Sequence, residues 1–401
     1  MKTRTLQVSQ RGSELGASPI RSLQPFANAA KARGIQVFHL NIGQPDLETP
    51  REALQAVQQL EEPIVAYGPS AGLPGLRARV AEYYQPFAPG IQTEDVFVTT
   101  GASEAILYAL MTVCDLGDEV IVPEPFYANY LGFARMAGVS IQPITTYLEE
   151  EFALPKAEAF EALIGPRTKA ILLCNPGNPT GQLYGPEELA AILSLARRRG
   201  LFVVVDEVYR AFCYDQNFHS ALAFPEYQQH VMVVDSISKV FSACGARIGY
   251  LVTKNEAIKE TVEKYAQLRL CPPYYGQKLA EACYEVADAY MAASKEVYRG
   301  RRAVQYAALQ QMPGVDCYFP QAAFYNICQL PVDDAEAFCR WLLADFSHQN
   351  QTVMLAPATG FYANTELGRQ QVRIAYMLEE KALQQAMDCL ALALEQYPGR
   401  V

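Results

Sequence analysis

The sequence has no apolar run long enough to span a membrane, and its polar beginning carries no signal-peptide core. A chain working in the cytoplasm is therefore expected. Ten cysteines occur without a single CxxC pair, and several (Cys114, Cys174, Cys283, Cys339) sit inside apolar runs. That pattern points to buried free thiols in a reducing compartment rather than a disulfide framework. The four histidines, His39, His219, His230 and His348, show no ligand spacing, so no metal is expected. Basic runs are scarce as well. Only Arg197 to Arg199 and Arg299 to Arg302 cluster, both expected on solvated faces, and the formal net charge is −10. Neither nucleic acid nor an anionic membrane is an expected partner.

What is present is a chain of 401 residues, half of them hydrophobic and 19% charged, with no biased tract. That length suits two domains. Apolar runs such as EVIV, AILLC, LFVVV and VMVVD are followed by turns and helical patterning, which predicts an α/β unit with a mostly parallel sheet covered on both faces. From about Pro273 the texture shifts to long helices, then to short strands around Cys317 and Phe324–Ile327, a helix near Ala335–Phe346 and a strand TVMLAP. The expected division is a large domain over 48–285 and a smaller α+β domain made of 1–47 and 286–401.

One lysine needs an explanation. Lys239 lies in VMVVDSISKVFSACGARIGY, with Ser236 and Ser238 before it and Val240, Phe241, Gly245 and Arg247 after. An amine in such crowded, largely apolar surroundings suits attack on an aldehyde, and Arg247 with the two hydroxyls suits a phosphate. Together they suggest pyridoxal phosphate. A loop lysine after a core strand is the rival reading, and this stretch alone does not choose.

Other positions carry similar pairs of readings. Asp206 ends the run LFVVVD, where ligands meet an open α/β sheet, or else caps the next segment. The turn Gly101-Ala102-Ser103 precedes a helix beginning near Ala102 or Ser103, a place that binds phosphate; it lacks GxGxxG, so no dinucleotide is indicated. Gly43 in IGQPD permits close approach of a ligand, or is an ordinary turn glycine. Tyr67 and Tyr127 are loop aromatics in a chain with 24 tyrosines. Arg373 alternates with Val372 and Ile374, which places it on the other face of a short strand, either for a ligand or in a surface salt bridge at a strand edge.

Taken in order, NPGNPTG, DEVY, SISK with its downstream Arg-x-Gly, and VRIAY resemble fold-type I aminotransferases of class I/II, and the resemblance runs from about Ser18 to the final helix. It implies the PLP-transferase fold and assigns roles. Lys239 holds pyridoxal 5'-phosphate as an aldimine and moves the proton in a 1,3 shift, and Asp206 partners the pyridinium nitrogen. Asn178 and Tyr209 reach the phenolate oxygen, while Asn175 is structural. Gly101, Ala102, Ser103, Ser236, Ser238 and Arg247 surround the phosphate, and Tyr127 stacks on the ring. Tyr67 reaches the phosphate of a partner subunit, which implies a homodimer with shared sites. Gly43, Asn178 and Arg373 receive the substrate carboxylate. Ser103 stands where some aspartate-specific relatives carry a lysine, so a second cation is needed for a dicarboxylic substrate, and Arg269 in AQLRLCPPYYG is the candidate. HLNIGQPD, ATGFYANTELG and VRIAY look most like a bacterial aspartate aminotransferase branch. Ping-pong transfer of the amino group from L-aspartate to 2-oxoglutarate is thus the first expectation. A broad-specificity or aromatic aminotransferase, or a carbon–sulfur lyase of the same fold, is the alternative.

Overall fold

The computed structural model describes residues 6–13 and 21–401. Ser18, where the resemblance starts, lies outside the described residues. The helix Gln24–Ala32 leads into strand β1 (Gln36–His39). Seven further strands follow: β2 (Val96–Thr99), β3 (Glu119–Glu124), β4 (Ser140–Thr145), β5 (Thr168–Cys174), β6 (Phe202–Asp206), β7 (Val231–Ser236) and β8 (Gly249–Thr253). They form one sheet in the order β2-β8-β7-β6-β5-β3-β4. Strands β4, β3, β5, β6 and β7 pair in parallel, and β8 runs against both β7 and β2.

The near-continuous apolar runs follow from burial on both faces. Val203 and Val205 pack with Ile171, Leu173, Val231 and Val233 on one side. Val204 packs with Leu172, Met232 and Val234 on the other. Each such side chain contributes roughly 1.5–3 kcal/mol of burial. Because the central strands are parallel, their last residues come to one edge: Cys174 is in register with Asp206, and Ser236 ends the adjacent strand. Polar chemistry collects where the apolar runs stop.

The rest of the chain adds β9 (Asp316–Cys317), β10 (Tyr325–Gln329), β11 (Gln351–Met354), β12 (Ala356–Pro357) and β13 (Gln371–Ala375). Four of these form an antiparallel sheet, β12-β13-β10-β9, while β11 pairs in parallel with β1. The stretch TVMLAP, expected as one strand, divides at Leu355 because its halves join different sheets. The helices Ala287–Leu309 and Glu380–Gln396 pack on this unit. Its core also takes in Val208, Tyr209 and Phe212, from the segment just beyond Asp206. The chain thus passes directly from the first core to the second.

Two expectations about charge need revision or receive support. Arg197 to Arg199 are exposed, as expected. Arg301 and Arg302 are buried instead, because the 23-residue helix Ala287–Leu309 turns one face inward. Arg301 pairs with Asp46 at 2.6 Å and Arg302 with Asp215 at 2.8 Å, and the Arg302 guanidinium lies 4.1 Å from the Phe319 ring centre. All ten cysteines are free thiols, six of them buried. No helix among the described residues is long and apolar enough to cross a membrane.

Candidate active site

A cavity of about 690 Å³ opens at the carboxyl edge of the large sheet, a volume that suits a cofactor with a small substrate. Lys239 enters it from the short helix Ile237–Val240 that follows β7. Ser236 caps that helix, its hydroxyl accepting from the Ser238 N–H at 3.0 Å. The Lys239 Nζ donates to the Gly43 carbonyl at 2.8 Å. Only glycine fits there, since a Cβ on residue 43 would stand 1.8 Å from the Tyr325 hydroxyl oxygen.

One end of the cavity is built for an anion. Gly101, at φ +76°, turns the chain into the helix Ala102–Val113, whose first N–H groups have no carbonyl partner within the helix. A Cβ on Gly101 would meet the Arg247 Nη2 at 2.4 Å, so the guanidinium lies against the bare glycine. Arg247 donates to the Cys244 carbonyl at 3.1 Å and adopts a left-handed backbone, φ 57°. Ser236 and Ser238 bring their hydroxyl oxygens within 2.7 Å of one another beside it.

Asp206 forms the floor. Its carboxylate accepts from the Tyr130 hydroxyl at 2.8 Å and from the Val208 N–H at 3.3 Å. Burial pushes the carboxyl up to about 6, with those two hydrogen bonds opposing the shift. Tyr127 lines the wall, its hydroxyl accepting from Asn129 at 2.7 Å, and burial raises it to about 12.

The opposite side holds a cation without an anion. Arg373 is 1% exposed, and among the described residues no carboxylate pairs with it. The rival reading of a surface salt bridge falls away. Its Nη1 donates to Asn178 Oδ1 at 3.0 Å and its Nη2 to the Asn41 carbonyl at 2.6 Å, while Nε is buried with no partner. Burial lowers its affinity for the proton. An uncompensated buried cation is costly to keep, which suits a ligand carboxylate as the missing partner. Asn178 Nδ2 in turn donates to the Tyr209 hydroxyl at 3.4 Å. Asn175 stays structural, exchanging hydrogen bonds with the Tyr184 backbone at 2.8 and 3.3 Å.

Of the expected residues, Gly43, Ala102, Ser103, Tyr127, Asn178, Asp206, Tyr209, Ser236, Ser238, Lys239, Arg247 and Arg373 all line this one cavity, and Gly101 backs it through Arg247. Arg269 does not. Its Nη1 pairs with Glu104 at 2.7 Å and its Nη2 donates to the Ser70 carbonyl at 2.8 Å, so it is not a spare cation for a substrate. Tyr67 is 80% exposed and does not line the cavity. Among the lining or supporting residues that went unread in the sequence are Arg21, Tyr130 and Tyr325. Tyr130 had a weak signal, three positions after Tyr127 in FYANY. Tyr325 had none until register was known: Ile327 pairs with Arg373, which puts Tyr325 on Arg373's face.

An anion cradle beside Arg247, an amine in the middle, a carboxylate floor and a cation awaiting a carboxylate together define an enzyme that uses pyridoxal phosphate on amino acids. The cradle suits the phosphate, Asp206 the ring nitrogen and Lys239 the aldehyde. Comparison with known proteins makes the class specific. Residues 35–390 match the family described as aminotransferase class I and II. The aspartate aminotransferase of Thermotoga maritima is 30% identical over 383 residues, 95% of this chain and 97% of that protein. The solved aspartate aminotransferase of Thermus thermophilus with maleate superposes with a TM-score of 0.88 at 27% identity, covering 97% of this chain and all of that one. A Pyrococcus furiosus alanine aminotransferase gives 0.89 at 29% identity over 98% of this chain and all of its own. The chain belongs to the class I and II aminotransferases and is a pyridoxal-phosphate-dependent transaminase of fold type I.

Proposed function

We propose that the chain moves the α-amino group of L-aspartate to 2-oxoglutarate in a ping-pong cycle, as a cytoplasmic homodimer. The observation that carries the choice of aspartate is Arg21. It lines the cavity, as do Ile42, Gly43 and Gln44, and its side chain makes no ion pair with any of the described residues. Of the cavity's other cations, Lys239 would serve the aldehyde, Arg247 the phosphate and Arg373 the α-carboxylate. Arg21 is left for a distal carboxylate, the place Arg269 was expected to fill. Fold does not decide the matter, because the aspartate and alanine enzymes superpose about equally well.

Pyridoxal phosphate, when bound, supplies the aldehyde for the amino group and a ring that draws electron density from the substrate Cα. The chain's own residues do the rest. Arg373 and Asn178 grip the α-carboxylate and turn the Cα–H toward Lys239. Lys239 Nζ takes that proton and delivers it further along, as base and then acid. Asp206 would offer a negative charge to the ring nitrogen, and Tyr209 with Asn178 would offer donors to the ring oxygen.

Two further parts of the reading have independent support. Ile64, Val65 and Tyr67 form an exposed apolar loop at 77%, 49% and 80% exposure, a surface that a second copy could cover. Ten free thiols suit a reducing compartment. We take 48–285 as the large domain, since it contains the whole seven-stranded sheet.

A half-reaction tests the function. The cofactor-loaded protein is given L-aspartate, L-alanine, L-phenylalanine or L-lysine, and the change in cofactor absorption is followed, then reversed with 2-oxoglutarate. Aspartate is expected to react at least about tenfold faster than alanine, and Arg21→Gln to erase most of that preference. Alanine or phenylalanine reacting as fast as aspartate would overturn the assignment. Pyruvate released from cysteine, with no reversible change, would place the chain among the carbon–sulfur lyases.

A further inference from the structure

Tyr325 opens β10 and touches three parts of the site at once. Its hydroxyl lies 2.9 Å from the Tyr209 hydroxyl. The Arg373 guanidinium lies over its ring, 4.4 Å from ring centre to carbon. Its hydroxyl also fills the space where any Cβ on Gly43 would go, and the Gly43 carbonyl receives Lys239. An ordinary core aromatic has no need of these contacts. Phe324, the neighbour in sequence, is the core residue, packed against Phe212 and Tyr298 at 4.3 and 4.5 Å.

The direction of the tyrosine–tyrosine bond can be reasoned out. Tyr209 has one hydroxyl proton, and its role in the site is to point that proton at the cofactor's ring oxygen. It then has none left for Tyr325, so Tyr325 is the donor, and the Tyr209 oxygen also receives Asn178 Nδ2 at 3.4 Å. Donation into a hydroxyl oxygen makes that hydroxyl a stronger donor in turn. The ring acts separately. A π face over a guanidinium holds its plane and offers attraction without neutralising it, as a carboxylate would. We propose that Tyr325 is a positioning residue with two separable parts: a hydroxyl that strengthens Tyr209 as a donor to the cofactor, and a ring that holds Arg373 ready for the substrate carboxylate. The inference rests on the roles proposed above for Tyr209 and Arg373.

The test uses the holoenzyme and two readouts other than turnover. One is the pH midpoint at which the visible absorption of the bound cofactor titrates. The other is the dissociation constant for maleate, followed by the same absorption and by calorimetry. Tyr325→Phe keeps the ring and loses the hydroxyl, so the midpoint is expected to rise by about half a pH unit, with maleate affinity held within about twofold. Tyr325→Met loses both parts and is expected to show the same rise together with about tenfold weaker maleate binding. An unmoved midpoint in Tyr325→Phe overturns the hydroxyl's role even if the second variant does not fold. Wild-type maleate affinity in a folded Tyr325→Met overturns the ring's. If the wild type itself shows no titrating band or binds no maleate, the reading of the whole site fails, and this inference with it.

Discussion

Asp206 is a carboxylate held in a place that resists its charge. Until a cationic ring nitrogen arrives, burial keeps its folded value at about 6 against an ordinary 3.8. The folded carboxyl therefore binds its proton more tightly than the unfolded one, so its contribution to stability is whole below about pH 4 and is lost as pH rises through 6. The loss amounts to about 3 kcal/mol for two pH units. In the cofactor-free protein, Asp206→Asn is expected to gain stability over the wild type at pH 8 that it does not show at pH 4. Urea unfolding at both values decides this, and an equal difference at both would refute it. The meeting of Asp206 and Lys239 in one cavity was legible in part: each follows an apolar run that ends at the carboxyl edge of the sheet, but the runs left rival readings for both and the motif resemblance chose between them. Arg269 was misread for a definite reason. Its partner Glu104 lies 165 positions away, and no local pattern reports a pairing made by the fold.

At the scale of the element, strand β7 carries Asp235 just before the lysine helix, on the face opposite Asp206's packing partners. Asp235 pairs with Arg210 at 2.8 Å, both side chains 1% exposed, and the guanidinium lies 4.4 and 4.1 Å from the Tyr83 and Tyr84 ring centres. Removing one charge strands the other in the interior. Asp235→Asn should cost roughly 3–5 kcal/mol, and adding Arg210→Met should restore much of it. Chemical denaturation of the two variants is the check; no recovery in the double variant would mean the pair does not act as a unit. The sheet itself was readable because alternate residues of each strand feed two different apolar layers. Strand partners were not: TVMLAP looked like one strand because hydrophobicity is blind to which sheet will claim each half.

For the molecule as a whole, Tyr67 is the residue out of place, exposed on its own subunit and absent from the cavity. In a dimer it would complete the neighbour's phosphate cradle. Sedimentation at micromolar concentration is expected to give twice the chain mass. Tyr67→Phe should release cofactor several-fold more readily on dialysis, as the loss of one hydrogen bond to a charged group predicts. A monomer that retains full activity would dismiss the shared site.

The pairing of β1 with β11 joins positions 315 apart in the chain, and the bond from Arg373 to the Asn41 carbonyl joins positions 332 apart. Synthesis proceeds from one end, so these joints can close only late. The residues of the proposed phosphate cradle, between Gly101 and Gly249, are all made well before Arg373, the arginine proposed to grip the substrate. If the earlier part folds as it is made, a nascent chain halted before β13 would have a berth for the vitamin-derived group but no means of seating an amino acid, so loading of the cofactor would be free to precede the birth of specificity.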